Sequence, residues 1–157
     1  CFMMQIAEVV TPEDVATVRA LINEYQSLIG VDLSFQGFDA EMRNLPGDYA
    51  PPRGRLLLAT HDGKPVGCVA LRDAGASRSE MKRLFVRPGT RGLGVGNALV
   101  SQVIDDARTI GYAEIVLDTL PSMADAQRMY ERFGFRDIAP YRENPIQGTR
   151  YLAKSLR

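Results

Sequence analysis

The chain has 157 residues, with 19 Lys and Arg against 19 Asp and Glu, so its formal net charge is zero. This length predicts a single domain over residues 1–157 with a sizeable core. The balanced charge argues against a nucleic-acid-binding protein, and no apolar run is long enough to span a membrane. The N-terminus lacks the features of a signal peptide, and Cys1 and Cys68 do not form a disulfide framework. We therefore expect a cytoplasmic protein.

The first half of the chain predicts three strands, two helices and a loop. The strands cover residues 5–10, 55–60 and 65–72, the helices cover 12–29 and 38–44, and a Pro- and Gly-rich loop covers 45–52. In the first helix, Thr11 is the N-cap, Pro12 is the first residue and Gly30 ends the helix. His61 precedes Asp-Gly between the last two strands, and we interpret it as a turn residue.

The second half alternates strands and helices. We predict a turn of small residues over 74–79, strands over 80–86, 114–118, 135–138 and 150–153, and helices over 95–110 and 124–133. Irregular alternation with hairpin strands in the middle predicts an α/β domain, in which a mixed central sheet carries helices on both faces. The sequence contains no cluster of His, Cys and carboxylates that indicates a metal site.

The segment between the strand over 80–86 and the following helix carries the main functional signal. It contains Arg91 and three alternating glycines, Gly92, Gly94 and Gly96. A glycine-rich turn between a strand and a helix presents free backbone N–H groups at the positive end of the helix dipole. Such a turn binds anions, usually phosphate or pyrophosphate, and Arg91 adds a charged donor for phosphate oxygens.

Two other phosphate-binding motifs do not fit this segment. A P-loop requires a Lys followed by Ser or Thr after its glycines, and that pair is missing. A dinucleotide-binding turn requires G-x-G-x-x-G, but its last position falls on Asn97 when counted from Gly92, and on Leu99 when counted from Gly94. A nicotinamide-dependent oxidoreductase is therefore disfavoured, although Asp118 resembles its ribose-binding acid.

Two separated motifs instead resemble the GNAT superfamily of acetyl-CoA-dependent N-acetyltransferases. R-x-x-G-x-G, from Arg91 to Gly96, is similar to the pyrophosphate-binding turn of that superfamily. A-x-x-M-Y-E-R-F-G-F, from Ala126 to Phe135, is similar to A-x-x-L-Y-x-x-x-G-F in its later helix. The resemblance implies a single GNAT-type domain with a splayed mixed sheet, which uses acetyl-CoA as cosubstrate and no metal.

The resemblance also implies a cofactor site around the glycine turn. In the superfamily, the pantetheine arm enters the cleft where the sheet splays and pairs with exposed backbone, much as an added strand would. Leu84, Phe85 and Val86 would supply that backbone. The residues implied to hold the pyrophosphate are Arg91, Gly92, Leu93, Gly94, Val95, Gly96 and Asn97.

Two residues are implied to be catalytic. Tyr130 falls on the tyrosine that protonates the departing CoA thiolate in many members, although its helix pattern alone indicates a packed core residue. Glu80 falls at the register of a glutamate that deprotonates the amine, a role suited to a carboxyl with a raised pKa. Its alternative is a solvated strand-edge acid paired with Lys82 or Arg83. Met123 stands where the family often has an Asn, so that cofactor contact is missing.

Strict alternation along the strand before the glycine turn predicts the direction of its side chains. Glu80, Lys82, Leu84 and Val86 would lie on one face, and Met81, Arg83 and Phe85 on the other. We interpret Lys82 and Arg83 as residues of a solvated face. Glu80 would then face the cleft in which thioester and amine meet.

The acceptor pocket has the weakest signal. By resemblance, its walls would be Tyr25, Phe35, the 45–52 loop and the segment 141–151, in which Arg142 binds a substrate carboxylate or belongs to an ordinary loop.

We predict acetyl transfer to the primary amine of a small molecule, by direct attack in a ternary complex. The alternatives are acetylation of peptides or proteins at N-termini or lysines, and a non-catalytic acyl-CoA-binding module. A homodimer is compatible with the sequence, whereas no nucleic acid or membrane is expected as a partner.

Overall fold

The computed structural model describes residues 3–30, 37–90 and 92–157, and within these ranges four α-helices pack on a seven-stranded sheet. The helices are α1 (Pro12–Ile29), α2 (Phe38–Asn44), α3 (Val95–Ile110) and α4 (Ala124–Arg132). The strands are β1 (Met4–Glu8), β2 (Arg55–His61), β3 (Lys64–Gly75), β4 (Arg78–Val86), β5 (Glu114–Thr119), β6 (Arg136–Asp137) and β7 (Arg150–Ser155). A short 3₁₀ helix, Gly47–Tyr49, lies in the predicted loop.

The sheet splays open at its centre. Its strand order is β1-β2-β3-β4-β5-β7-β6, and each neighbouring pair is antiparallel except β4 and β5, which are parallel. These two strands pair only between Arg78–Glu80 and Glu114–Val116, although β4 continues to Val86 and β5 to Thr119. Beyond Glu80 they diverge, so the edge of β4 that faces β5 is unpaired. The mixed, splayed sheet predicted from the sequence is confirmed.

Helices cover both faces of this sheet, as predicted. On one face, Leu99 and Val103 of α3 pack with Leu71 of β3. On the other face, Leu21 of α1 and Phe38 of α2 belong to one buried cluster with Leu56 of β2 and Ala70 of β3. Full burial of side chains of this size stabilises the fold by about 1.5–3 kcal/mol each. The two packed layers therefore hold the diverging ends of β4 and β5 between them.

Local signals define the ends of the helices. The Asp14 N–H donates to Thr11 Oγ1 at 3.1 Å, so Thr11 caps α1 as predicted. Gly30 ends α1 in the left-handed region, with a φ of 64°, where a side chain would be strained. Gly111 ends α3 in the same way. The predicted bounds of these helices are therefore confirmed.

The hairpin between β3 and β4 is longer than its sequence predicts. The turn predicted over 74–79 is wrong at its ends, because β3 runs to Gly75 and β4 begins at Arg78. Ala76 and Ser77 form the turn itself, with φ values of 54° and 62°. Pairing across the ladder overrides the preference of small residues for irregular structure.

A bulge in β4 interrupts the predicted alternation of its side chains. Lys82 pairs with Ala70 and Phe85 with Cys68, so two residues of β4 oppose the single residue Val69 of β3. Arg83 lies at the bulge, with a φ of 59°. The extra residue shifts the pattern by one position. The two faces are therefore Glu80, Lys82 and Phe85 towards α1 and α2, and Met81, Leu84 and Val86 towards α3.

The described part of the chain contains no helix long and apolar enough to cross a membrane. Within the same residues, no three His, Cys, Asp or Glu side chains come together to form a metal site. Cys68 is a buried free thiol in β3, as its apolar strand predicts, whereas Cys1 lies outside the described residues. His61 is the last residue of β2, next to the hairpin turn.

Candidate active site

A large cleft opens where β4 and β5 diverge, between α1, α4 and the start of α3. Its volume is about 480 Å³, within the range of small-molecule sites in proteins. The predicted cofactor residues that line it are Leu84, Phe85, Val86, Gly92, Gly94, Val95, Gly96 and Asn97. Leu93 is exposed and does not line the cleft, and Arg91 lies outside the described residues.

The glycine turn has the backbone geometry of an anion site. Gly92 and Gly94 have φ values of 86° and 74°, and a Cβ added to either would meet no atom within 4 Å. Gly94 is the N-cap of α3, and no side chain of the described residues caps this helix. The first amide to bond back is that of Ala98, which donates to the Gly94 carbonyl at 3.0 Å. The preceding amides can therefore receive a ligand, although pyrophosphate binding stays a prediction.

A smaller cavity, which we call the inner cavity, lies deeper between the diverging strands. It has a volume of about 100 Å³ and shares Tyr25, Ile29, Leu84, Met123 and Ala126 with the cleft, so the two spaces are adjacent. Its other walls are Met81, Lys82 and Arg83 of β4, Leu117, Asp118 and Thr119 of β5, Leu120, Tyr130 of α4, and Asn144. The charged side chains of the inner cavity are thus Lys82, Arg83 and Asp118.

Tyr130 lies in the wall of the inner cavity, with its ring edge-on to Phe135 at a centroid distance of 5.7 Å. It is 6% exposed, and its hydroxyl forms no hydrogen bond to another described residue. Burial raises the pKa of the phenol well above its usual value, and the nearby Tyr25 and Asp118 raise it further. The phenol is therefore protonated at neutral pH, as a proton donor must be.

Glu80 is completely buried among basic residues. Its Oε1 accepts hydrogen bonds from Arg72 Nε at 2.9 Å and Nη2 at 2.8 Å, and its Oε2 accepts from the Tyr141 hydroxyl at 2.8 Å and from Arg142. Burial alone would raise the pKa of this carboxyl, but the charges of Lys82, Arg142 and Arg72 outweigh it and lower the pKa. The raised pKa predicted for Glu80 is wrong, and Glu80 lines neither the cleft nor the inner cavity.

Lys82 and Arg83 are buried, so their interpretation as a solvated face is wrong. Each is 8% exposed. Arg83 donates two hydrogen bonds to Glu41 of α2, from Nε to Oε2 at 2.8 Å and from Nη2 to Oε1 at 2.9 Å. Burial lowers the pKa of Lys82 to about 8, and repulsion by Arg83 adds to this effect. The bulge accounts for the burial of Arg83, because it turns this side chain towards α2.

Asp118 contributes an unpaired carboxylate oxygen to the inner cavity. Its Oδ2 is buried and has no hydrogen-bond partner among the described residues. Its charge also contributes to the raised pKa values of Tyr25, Tyr130 and Tyr141, although burial is the larger cause for each. Asp118 was not predicted as a site residue. The available signal was an acid at the carboxyl end of the buried strand 115–117, where ligands commonly bind in α/β sheets.

The family of the chain follows from comparison with known proteins. Residues 18–135 match the family model described as the acetyltransferase (GNAT) family. The chain belongs to the GNAT acetyltransferase family. An uncharacterized N-acetyltransferase of Schizosaccharomyces pombe is 40% identical to this GNAT acetyltransferase over 151 residues, which cover 95% of this chain and 93% of the relative. The recognition based on two motifs is confirmed, and with it the class of acetyl-CoA-dependent acetyltransferases.

Solved acetyltransferase structures have the same fold. A GNAT-family acetyltransferase from Staphylococcus aureus has a TM-score of 0.84 at 24% identity, covering 99% of this chain and all of the other. An acetyltransferase from Salmonella typhimurium, solved with acetyl-CoA, has a TM-score of 0.68 at 20% identity, covering 98% of this chain and 94% of the other. The predicted GNAT-type fold is therefore confirmed.

The predicted acceptor walls of this GNAT acetyltransferase come together only in part. Tyr25 lines both the cleft and the inner cavity, as expected. Arg142, considered as a ligand for a substrate carboxylate, instead binds Glu80. The 45–52 loop lines neither space, and Phe35 lies outside the described residues. Of the predicted 141–151 wall, Asn144 lines the inner cavity, whereas Tyr141 and Arg142 bind the buried Glu80.

Proposed function

We propose that this GNAT acetyltransferase transfers the acetyl group of acetyl-CoA to the primary amine of a small molecule. The observation that carries this proposal is the inner cavity, which is small, is lined by ionisable side chains and adjoins the cleft. A volume of about 100 Å³ suits a small acceptor, whereas a peptide or protein acceptor requires an open groove. A cytoplasmic location and a homodimer stay predictions from the sequence.

The cleft has the features that CoA requires. Backbone amides at Gly92, Gly94 and the start of α3 would bind the pyrophosphate, because helix N-termini favour anions. The unpaired edge of β4 from Leu84 to Val86 would bind the amide groups of the pantetheine arm. Met123, in place of the family's Asn, adds apolar surface to the same cleft.

The proposed chemistry is direct attack by the amine. Once neutral, the amine nitrogen bonds to the carbonyl carbon of the thioester, the carbon–sulfur bond breaks, and the thiolate takes the proton of Tyr130. The nitrogen loses its surplus proton as the amide forms, and this proton restores the Tyr130 phenol. The protonated, cavity-lining phenol of Tyr130 supports this assignment. Backbone donors at the open edge of β4 would polarise the thioester carbonyl.

A covalent enzyme intermediate is unnecessary in this scheme. The Cys68 thiol is fully buried and lines neither the cleft nor the inner cavity. Burial raises its pKa to about 12, so its nucleophilic thiolate form is scarce at neutral pH. A neutral amine is itself a competent nucleophile, which favours one-step transfer in a ternary complex.

The role of Glu80 as the base stays a prediction. Proton uptake by Glu80 would weaken its ion pairs with Arg72 and Arg142, and its lowered pKa makes it a weak base. Its contacts instead support a positioning role, in which Glu80 holds Tyr141 and Arg142 of the C-terminal segment beside the sheet.

The proposed function is tested by two measurements on the unmodified chain. Calorimetry should detect binding of acetyl-CoA, and a free-thiol assay should detect CoA release with at least one amine. The panel contains small primary amines, amino acids, and peptides with a free N-terminus or a lysine. Release with small amines supports the proposal, release with peptides alone replaces it with peptide acetylation, and binding without release for any acceptor favours a non-catalytic module.

A further inference from the structure

The inner cavity has a carboxylate on one diverging strand and an ammonium on the other. Asp118 of β5 presents its buried Oδ2, which has no hydrogen-bond partner in the described structure. Lys82 lies in the wall formed by β4 and is 8% exposed. A buried carboxylate oxygen without a donor is destabilising, because it has lost its hydrogen bonds to water. Such an oxygen in the wall of a cavity therefore indicates a ligand that carries a donor.

The other acids beside this cavity are already engaged. Glu80 accepts hydrogen bonds from two arginines and a tyrosine, and Glu41 accepts two from Arg83. Asp118 is therefore the acid of the described cavity wall whose carboxylate keeps an oxygen without a hydrogen-bond partner. An ammonium there would make a charge-assisted hydrogen bond in a water-poor site.

The surroundings of Lys82 favour an anionic ligand. Burial lowers the pKa of Lys82 to about 8, which leaves most of the ammonium protonated at neutral pH. Arg83, Arg142 and Arg72 add repulsion, whereas Glu80 acts in the opposite direction. A ligand carboxylate beside Lys82 would relieve this repulsion, and the Asn144 side chain in the same wall offers a further polar contact.

We propose that the acceptor is a compact amino acid, with its ammonium held by Asp118 and its carboxylate by Lys82. This inference rests on the proposed function, since it concerns the acceptor of the same transfer. The inner cavity of about 100 Å³ corresponds to roughly three water molecules of liquid volume, so it admits a small acceptor or the head of a larger one. Met81 and Leu117 line the rest of the wall and suit aliphatic carbons.

The same carboxylate oxygen also serves the proton transfer that the reaction requires. Asp118 takes one proton from the bound ammonium, which leaves a neutral amine and a neutral carboxylic acid. The amine forms the new carbon–nitrogen bond, the carbon–sulfur bond breaks, and Tyr130 protonates the sulfur. As the amide forms, its nitrogen gives up a second proton, which restores the Tyr130 phenol. After product release Asp118 returns its proton to solvent, so the net reaction releases one proton.

Matched acceptors test the inference on the unmodified chain. Glycine, alanine, serine and valine are compared with their carboxamides, which lose the negative charge, and with the decarboxylated amines, which lose the group. With saturating acetyl-CoA, thiol release should give kcat/KM values at least about tenfold higher for the best amino acid than for its two analogues, as loss of a charge-assisted hydrogen bond implies.

The outcomes separate this inference from the proposed function. Equal values for an amino acid and its analogues, or acetylation of other amines but of no amino acid, would overturn the amino-acid assignment and leave small-molecule acetylation intact. Absence of thiol release with every amine would instead overturn the proposed function.

Two variants test which side chain binds the ammonium of the acceptor and which binds its carboxylate. Asp118→Asn should raise KM for the amino acid and lower the rate most at neutral pH, with recovery at high pH. Lys82→Met should bring the kcat/KM ratio of amino acid to decarboxylated amine close to one. Asp105→Asn and Lys64→Met remove exposed charges elsewhere and should leave that ratio unchanged. Acetyl-CoA binding verifies folding of each variant, and an unchanged ratio in folded Lys82→Met contradicts the assignment.

Discussion

The cleft and the inner cavity are adjacent but differently constructed. Backbone builds much of the cleft, through the unpaired edge of β4 and the amides that follow Gly94. Side chains from four separate elements, α1, β4, β5 and α4, build most of the inner cavity, among them Lys82, Asp118 and Tyr130. A site made of backbone accepts the same group whatever the side chains are, whereas a site made of side chains changes with each substitution. We infer that local backbone fixes the acetyl donor and that side chains select the acceptor.

The largest effect is expected at Tyr130, in the inner cavity. Tyr130→Phe removes the hydroxyl and keeps the ring that packs on Phe135. Because we propose that the phenol donates the proton to the thiolate, we expect kcat to fall by about 100-fold, while calorimetry should give a near-normal Kd for acetyl-CoA. Tyr112→Phe, which removes the hydroxyl that donates to the Arg53 carbonyl, is the control and should retain its rate. An unchanged kcat in Tyr130→Phe, with chemistry rate-limiting, would assign Tyr130 to packing.

A smaller effect, on stability, is expected from the buried ion pairs behind the inner cavity. Glu80→Gln removes the charge that Arg72 and Arg142 share, and should lower the free energy of unfolding at pH 7 by about 2–3 kcal/mol in denaturant titrations. Glu114→Gln is the matched control, because its pair with Arg78 is 37% exposed and should be worth less than about 1 kcal/mol. Equal losses of unfolding free energy in the two variants would contradict a larger contribution from the buried ion pairs of Glu80.

Glu80→Gln should also change how the free energy of unfolding depends on pH in acid. The folded-state pKa of Glu80 lies below its ordinary value of 4.5, so its stabilising contribution is complete above that pH and is lost as the pH falls through the lowered pKa. The stability difference between the parent and Glu80→Gln should therefore be constant near neutrality and shrink in acid. Because Glu80 accepts a hydrogen bond from Tyr141, we expect any loss of rate in Glu80→Gln to be equal at every pH. Recovery of the rate at high pH would instead indicate that Glu80 is the general base.

The smallest effect is expected at the glycine turn. Gly94→Ala places a methyl group in the cleft and strains a backbone with a φ of 74°. The Kd for acetyl-CoA should rise about tenfold, as loss of one good backbone contact to an anion implies. Gly75→Ala, with a φ of 86° in the β3–β4 hairpin, imposes similar strain away from the cleft and is the control. If both variants bind acetyl-CoA equally well, the turn does not hold the cosubstrate.

The fold and the cleft were predictable because their signals are local. Caps such as Thr11 and Gly30 set helix ends within a few residues, and alternating glycines before an apolar helix encode the turn shape directly. The hairpin predicted around residue 62 follows from its Asp-Gly turn. The cleft residues Leu84 to Val86 could be predicted from the family resemblance of the glycine turn that follows them, and all three line the cleft.

The inner cavity was less predictable because its residues are distant in sequence. Glu80 meets Tyr141 and Arg142 from more than 60 residues away, and no local pattern encodes that contact. Lys82 and Arg83 look like ordinary surface charges until the bulge turns them inwards, and a bulge has no signature in alternation alone. Asp118 differs from a solvated strand-end acid only through its missing partner, which is a property of the folded chain.

The bulge at Arg83 divides β4 into two segments of opposite phase. Upstream, the even-numbered Glu80 and Lys82 point towards α1 and α2, whereas downstream the odd-numbered Phe85 does so. Deleting one residue here would turn Phe85 over without moving Glu80. The single extra residue thus separates the side-chain orientation of the segment before the bulge from that of the segment after it. Under the proposed function, substitutions before the bulge would change the acceptor side of the site and leave Leu84 to Val86, on the donor side, in place.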